Sequence, residues 1–347
     1  MKKYLILLVL VAFFIYPVSA MEFTAPQVPA SAEKYMPDDQ ESFGQGLWYI
    51  VKNAISELMP EISKAFGVCL SLIAAVLLIS ILNNFTDQAL NSIRLTGTVI
   101  IGILLLQPVN TLIQLGSNTI TELSTYGKLL LPVMTAAAAA QGSVTSSAAI
   151  YTGTVFFDAL LSSVISRVIV PATYVFLCLS VINSAVDQDM LKKVKDFVKW
   201  GMTWCLKIIL YVFSGYLTIT RVISGVVDAS ALKAAKLTIS GVVPVVGGIL
   251  SDATETILVS AGVMKNAAGI YGIFAVLAIC VSPFLQIGLQ YLLLKLTSGV
   301  CNMFGYKPAV GLLGDFTGAM GLVLAMTGTV CVLLLVSLVC FMKGVNG

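Results

Sequence analysis

The feature that most constrains this chain is a series of long apolar runs without a single charged residue. A membrane-spanning helix needs about 20 mostly apolar residues. In lipid, backbone polar groups must be hydrogen-bonded within the segment, so such crossings are helices. The runs predict an all-α polytopic membrane protein with roughly six to eight transmembrane or re-entrant helices. They cover residues 65–86, 95–121, 129–157, 168–186, 266–294 and 316–342, and 200–220 is interrupted only by Lys207.

Composition supports this fold class and excludes several kinds of activity. Only 11% of the residues are charged, against about 25% in soluble globular proteins. The chain has no histidine, which removes the commonest general base and metal ligand. It also has no CxxC pair, phosphate-binding loop, dinucleotide fingerprint or HExxH motif. We therefore expect no enzymatic activity, no cofactor and no metal, and without a dense basic patch we expect no nucleic-acid partner.

The chain divides into three predicted parts. Residues 1–20, "MKKYLILLVLVAFFIYPVSA", combine a basic start, an apolar core and a small-residue cleavage site, which is typical of a signal peptide. The alternative is an uncleaved first membrane helix. Residues 21–64 form an acidic segment expected outside the cytoplasm, ending in a short surface helix over 47–64. Residues 65–347 form the multi-helix membrane domain.

One loop predicts the orientation of the helices. Asp187–Lys199 carries four lysines, and by the positive-inside rule it lies in the cytoplasm. Starting from an external N-terminus, either one or three crossings between 121 and 187 satisfy this. Pro132 interrupts a short apolar segment, 129–143, which favours a re-entrant or interfacial piece there. Pro283 likewise leaves open whether 266–294 crosses once or twice.

A break in the backbone precedes two acidic residues in the stretch Ile239–Gly262. Pro244 cannot continue a helix, and the glycine pair allows a turn. Ser251 is a natural N-cap, and the two acids would follow in the first helical turn, where the helix dipole favours negative charge. This is either a well-capped helix start or a broken membrane helix that lines a passage or a partner contact. The candidate residues are Pro244, Gly247, Gly248, Ser251, Asp252 and Glu255.

Isolated polar positions in the apolar runs are further candidates. Asp158 is too short to reach the membrane surface, and Arg167 would face the other side of a straight helix, so Asp158 requires a partner on another helix. The long side chains of Lys207 and Lys295 can extend to the interface. Gly314 and Gly318 form a GxxxG pattern, which permits close packing of membrane helices.

Two blocks of residues resemble a known family. "VPVVGGILSDATETIL" (Val243–Leu258) is the most specific, and "KNAAGIYG" (Lys265–Gly272) follows it. "LLPV" (Leu130–Val133) and "QGSVTSSAA" after it are also similar, and the region after Lys295 is the least similar. Together with the signal sequence and many helices, they resemble the stage III sporulation protein AE family of endospore-forming bacteria.

This resemblance implies a function that composition does not reveal. It implies an integral membrane subunit of the channel or secretion complex between mother cell and forespore, in the mother-cell membrane facing the forespore. The implied partners are sibling membrane proteins of the stage III sporulation A operon, their cytoplasmic secretion-type ATPase and, indirectly, stage II protein Q of the forespore. The alternatives are a stand-alone ion-coupled permease and a membrane scaffold without its own conduit.

Overall fold

The computed structural model describes residues 26–37, 43–85, 90–140, 143–186, 188–242 and 247–342, without the side chains of 84–85, 90–91, 221–242 and 247–266. Within these ranges the chain is helical and has no strand. Helices α4 and α5 are joined without interruption by one turn of π-helix, Ile165–Ile169. The α-helices are α1 (Ala30–Glu33), α2 (Phe43–Phe85), α3 (Leu90–Ala140), α4 (Val144–Val164), α5 (Val170–Val186), α6 (Asp189–Val242), α7 (Gly247–Asn302) and α8 (Lys307–Met342).

Among the described residues, six helical stretches are long and apolar enough to cross a membrane, which confirms the predicted fold class. They are Phe43–Asn83, Ser92–Ala140, Val144–Val186, Asp189–Thr220, Ala267–Asn302 and Lys307–Met342. The last two are the most buried. In each of them, 56% of the apolar 18-residue stretch lies inside the protein, against 22–33% for the other four. Helices α7 and α8 are therefore the core of the bundle.

Contacts between helix ends show that consecutive spans run in opposite directions. Ser80 donates a hydrogen bond to the carbonyl of Phe304 at 2.6 Å, and Tyr306 donates to the carbonyl of Arg94 at 3.2 Å. Lys195, near the start of α6, pairs with Asp315 near the start of α8. These residues lie at one end of the bundle, here called the lysine-rich end. It carries the four lysines of 187–199, which was predicted to be a loop but forms the first turns of α6 from Asp189 onward.

Helices α3 and α8 run parallel and approach closely. A Cβ added at Gly116 would lie 2.7 Å from Val323 Cγ1, and one at Gly127 would lie 2.9 Å from Leu334 Cδ2. The residue numbers differ by the same amount in the two pairs. The two helices therefore stay in register along the three turns between them. Small residues at such positions allow membrane helices to pack closely.

Three sequence expectations about these helices are wrong. Residues 47–64 are not a separate surface helix, because α2 continues through them to Phe85. The 129–143 segment is not re-entrant either: up to Ala140 it belongs to α3, and Leu130 packs against Gly272 of α7. The expected N-cap Ser251 is four residues inside α7, which begins at Gly247.

The length of α3 explains the second correction. At about 1.5 Å per residue, its 51 residues extend well over twice the roughly 30 Å of a bilayer's hydrocarbon core. After residue 121, α3 packs against the two core helices: Gly127 lies against Leu334 of α8, and Leu130 lies against Gly272 of α7. Pro283 also lies inside a continuous α7, so this run forms one helix and does not turn back.

Candidate functional site

A cavity of about 650 Å³ lies between α2, α3 and α7. Most of its lining residues belong to three of the apolar runs, yet about half of the lining residues are polar. Polar groups at membrane depth are expensive and tend to mark a pathway or a partner contact. The polar lining residues are Glu61, Lys64, Ser71, Gln107, Thr111, Gln286 and Gln290.

Helix α7 supplies its side of the cavity through a polar stripe. Ser282, Gln286 and Gln290 are spaced four residues apart, so they follow one face of the helix. The amide of Gln286 donates to the Ser282 hydroxyl at 3.4 Å. Gln290 is 4% exposed, and its Nε2 has no hydrogen-bond partner among the described residues. A buried amide donor without a partner costs free energy, so this group is available to water, a solute or a partner.

Helix α3 contributes a proline at the same cavity. Pro108 has no backbone N–H, so the Leu104 carbonyl lacks its normal helical donor. Both residues line the cavity, and irregular hydrogen bonding at membrane depth is tolerated where it faces water or protein. The Thr111 hydroxyl, by contrast, is satisfied within the helix, because it donates to the Gln107 carbonyl at 3.2 Å.

The mouth of the cavity carries the charged residues of its lining. Glu61 and Lys64 form an ion pair of 2.8 Å one turn apart on α2; Lys64 is largely exposed and Glu61 is partly exposed. Deeper lining residues are uncharged, so the cavity offers hydrogen-bond donors and acceptors without a fixed net charge. This chemistry suits water, small polar solutes or a polar partner helix.

Asp158 is buried elsewhere, between α3 and α4. It is 3% exposed, and the Ser124 hydroxyl of α3 donates to its Oδ2 at 2.5 Å. Its Oδ1 has no hydrogen-bond partner among the described residues. The expected partner on another helix is thus found, but it is a neutral hydroxyl. Asp158 does not line the cavity between α2, α3 and α7.

The other predicted site residues are only partly covered by the structure. Pro244 lies outside the described residues. Gly247, Gly248, Ser251, Asp252 and Glu255 lie in the first turns of α7, and their side chains are outside the description. Whether Asp252 and Glu255 face a passage or a partner stays a prediction.

The GxxxG pattern does not bring two helices together. No atom lies within 4 Å of a Cβ added at Gly314. A Cβ at Gly318 would lie 2.8 Å from the Lys199 ammonium. Gly318 therefore makes room for a lysine side chain. The prediction that these two glycines allow close helix packing is wrong.

The segment that precedes α2 docks on the end of the bundle opposite the lysine-rich end. Ser31 donates to Glu122 at 2.8 Å, Lys34 pairs with Glu57 at 2.6 Å, and Tyr35 also donates to Glu57. The hydrogen bond to Glu57 raises the pKa of the Lys34 ammonium. Burial, followed by the Glu57 contact, raises the pKa of the Tyr35 phenol. Both side chains thus keep their protons at neutral pH, which preserves these contacts.

Comparison with known proteins identifies the family. The family model for stage III sporulation protein AE matches residues 32–344, nearly the whole chain. This chain belongs to the stage III sporulation protein AE family. In Bacillus subtilis (strain 168), a protein of that name is 21% identical over 276 residues, which cover 78% of this chain and 68% of that protein. No solved structure matches the chain.

Among the described residues, no group of three or more His, Cys, Asp or Glu side chains could hold a metal ion. The cavity glutamines were not among the predicted site residues, because single uncharged amides do not interrupt an apolar run as a charge does. The spacing of Ser282, Gln286 and Gln290 on one helical face was the available signal.

Proposed function

We propose that this chain is an integral membrane subunit of a channel or secretion complex joining mother cell and forespore, and that it supports forespore development. The observation that carries the proposal is the cavity with polar lining residues between α2, α3 and α7 in a member of a sporulation family. The described part of this chain has six helices long and apolar enough to cross a membrane. A protein that only held other subunits together would have no need of a cavity that presents the amides of Gln107, Gln286 and Gln290 between apolar helices.

The proposed partners are those that the resemblance to the stage III sporulation protein AE family implies. The chain has no phosphate-binding loop in its sequence, so a separate cytoplasmic secretion-type ATPase would supply energy. Sibling membrane proteins of the stage III sporulation A operon would complete the assembly in the mother-cell membrane facing the forespore. Stage II protein Q of the forespore would meet it indirectly.

Crosslinked affinity purification tests this proposal. The tagged full-length protein is isolated from membranes of sporulating cells, and its partners are identified by mass spectrometry. We expect the ATPase and sibling membrane proteins to be recovered. Recovery of the protein alone would instead favour a stand-alone permease that uses the same cavity.

Replacing Gln290 with leucine tests the function of the cavity without lowering the stability of the protein. The change removes a buried amide donor that has no partner among the described residues, so we expect the free energy of unfolding to stay level or rise by about 1 kcal/mol. Sporulation should nevertheless fall, because the cavity loses a hydrogen-bonding group. Spore counts and the protein level in membranes are the two measurements.

Gln114 provides the matched control for this variant. It lies on α3, exposed and outside the cavity lining, so Gln114→Leu should leave sporulation unchanged. Normal sporulation with Gln290→Leu would show that the cavity is a structural gap and not a functional site.

The acids at the start of α7 have their own test. If they line a passage, the double variant Asp252→Asn, Glu255→Gln should assemble with its partners but fail to support sporulation. The substitutions keep the side-chain shapes and remove only the charges, so purification of the complex together with spore counts reads out both properties. Normal sporulation would leave the two acids as helix-start residues, whose neutralisation costs only about 0.3–1 kcal/mol each.

A further inference from the structure

We propose that a groove between α6 and α8 binds the headgroup of an anionic phospholipid at the lysine-rich end. The groove is a cavity of about 260 Å³ that is separate from the polar cavity described above. Its wall combines two lysines, Lys199 and Lys207, with apolar side chains that include Leu206, Leu210, Leu322 and Ala325. A phospholipid has the matching composition, with a charged phosphate at one end and acyl chains at the other.

The two lysines are available for an external anion. Neither forms an ion pair among the described residues, and both are exposed. The neighbouring Lys195 is already neutralised by Asp315 at 2.6 Å. Lys199 lies over the ring of Phe176, with 6.0 Å between its Nζ and the ring centroid. This contact holds the ammonium at the groove.

A glycine of α8, which has no side chain, creates the space for Lys199. Gly318 and Gly321 both line the groove. A Cβ at Gly318 would lie only 2.8 Å from the Lys199 Nζ, so any other residue would displace the ammonium. Gly318 thus leaves room for the Lys199 ammonium in a mostly apolar wall.

Aromatic residues place this recess at the level of lipid headgroups. Trp200 and Trp204 are exposed on α6, and their ring centroids are 6.1 Å apart. Exposed tryptophans are enriched at membrane–water interfaces. Lys207 lies two turns further into the apolar run, but side chains on a helix lean toward its N-terminus, so its ammonium is directed back toward the headgroup level.

The size of the groove favours a headgroup over a whole solute. Pockets for drug-sized ligands have volumes of about 300–1,000 Å³, above the value here. A lipid needs less enclosed space because its acyl chains continue along the outer helix faces, where Ile208 and Tyr211 are exposed. Basic pockets between membrane helices on the cytoplasmic side are known to take anionic headgroups.

Lipid titration of the purified full-length protein tests this assignment. Binding is measured by native mass spectrometry as phosphatidylglycerol or phosphatidylcholine is added to the protein in neutral detergent. We expect discrete phosphatidylglycerol adducts and few phosphatidylcholine adducts. Lys199→Gln with Lys207→Gln should weaken phosphatidylglycerol binding by about 30-fold, because each lysine near the membrane surface contributes about a factor of five.

The control variant removes the same charge from the same helix. Lys192 and Lys193 are exposed and lie outside the groove, so Lys192→Gln with Lys193→Gln should leave binding within about twofold of wild type. Equal losses in the two double variants would overturn the proposal in favour of general surface attraction. Equal binding of phosphatidylcholine, or full competition by millimolar glycerol 3-phosphate, would also overturn it, the latter by indicating a site for free phosphates.

A second variant tests whether a loss of phosphatidylglycerol binding arises from misfolding. Gly318→Ala keeps both lysines but places a methyl group against the Lys199 ammonium, and it should reduce phosphatidylglycerol binding severalfold. Each variant is compared with wild type by gel filtration before titration. Undiminished binding in a well-folded Gly318→Ala protein would contradict the proposed place of the headgroup.

Discussion

Replacing Asp315 with leucine should lower the free energy of unfolding by about 3–5 kcal/mol, because it leaves the Lys195 ammonium buried without its partner. The two side chains are only 9% and 16% exposed, and they join α6 to α8 at a distance of 2.6 Å. The measurement is unfolding of the purified protein in mixed detergent micelles, followed by tryptophan fluorescence.

A double variant shows that the loss arises from the uncompensated charge. Lys195→Met combined with Asp315→Leu removes both charges, and it should recover most of the stability, since apolar replacements of buried pairs are often neutral or stabilising. The exposed pair Glu61–Lys64 is the control, for which Lys64→Met should cost less than about 1 kcal/mol. A similarly small effect of Asp315→Leu would mean that water reaches Lys195 freely.

Substituting alanine for Gly153 should destabilise the protein by about 1–3 kcal/mol through overpacking between α4 and α6. An added Cβ would lie 1.9 Å from Cε1 of the Tyr216 ring. The ring cannot withdraw freely, because its hydroxyl donates to the Ala149 carbonyl at 2.9 Å. Losing that hydrogen bond would cost about a further 1 kcal/mol. The same unfolding measurement gives the value.

Gly311 is the matched control for this substitution. It lies within α8 with no atom within 4 Å of an added Cβ, so Gly311→Ala should stabilise the protein by about 0.5–1 kcal/mol through helix propensity. If Gly153→Ala proved equally stabilising, α4 and α6 would be further apart than the structure places them.

Properties of single segments were predictable from the sequence. The uncharged runs predicted roughly six to eight membrane helices, and six stretches of sufficient length and apolarity occur among the described residues. The direction of Asp158 toward another helix followed from the cost of burying its carboxylate. Helix ends were less predictable. Ser251 has the chemistry of an N-cap, yet α7 begins at Gly247. Proline at 132 and 283 suggested breaks, but both residues are accommodated inside long helices.

The candidate cavity could be predicted only in part. Gln286 and Gln290 share a helical face with Ser282, which is visible in the sequence. That Gln107 and Pro108 of α3 stand opposite them is not visible, because nothing local relates two segments so distant in the chain. The glycines of α8 show the same limit: their spacing suggested a helix contact, whereas Gly318 receives a lysine side chain from α6.

The sequence by itself determined that this chain forms membrane-spanning helices, because hydropathy and backbone hydrogen bonding act within each segment. It also carried the residues by which the sporulation family is recognised. Only the tertiary structure decided which side chains meet. Lys195 and Asp315 are separated by 120 positions, and lipid offers no hydrophobic force that would select one helix face over another. Close packing and hydrogen bonding between particular helices make that selection, and they exist only once the bundle has formed.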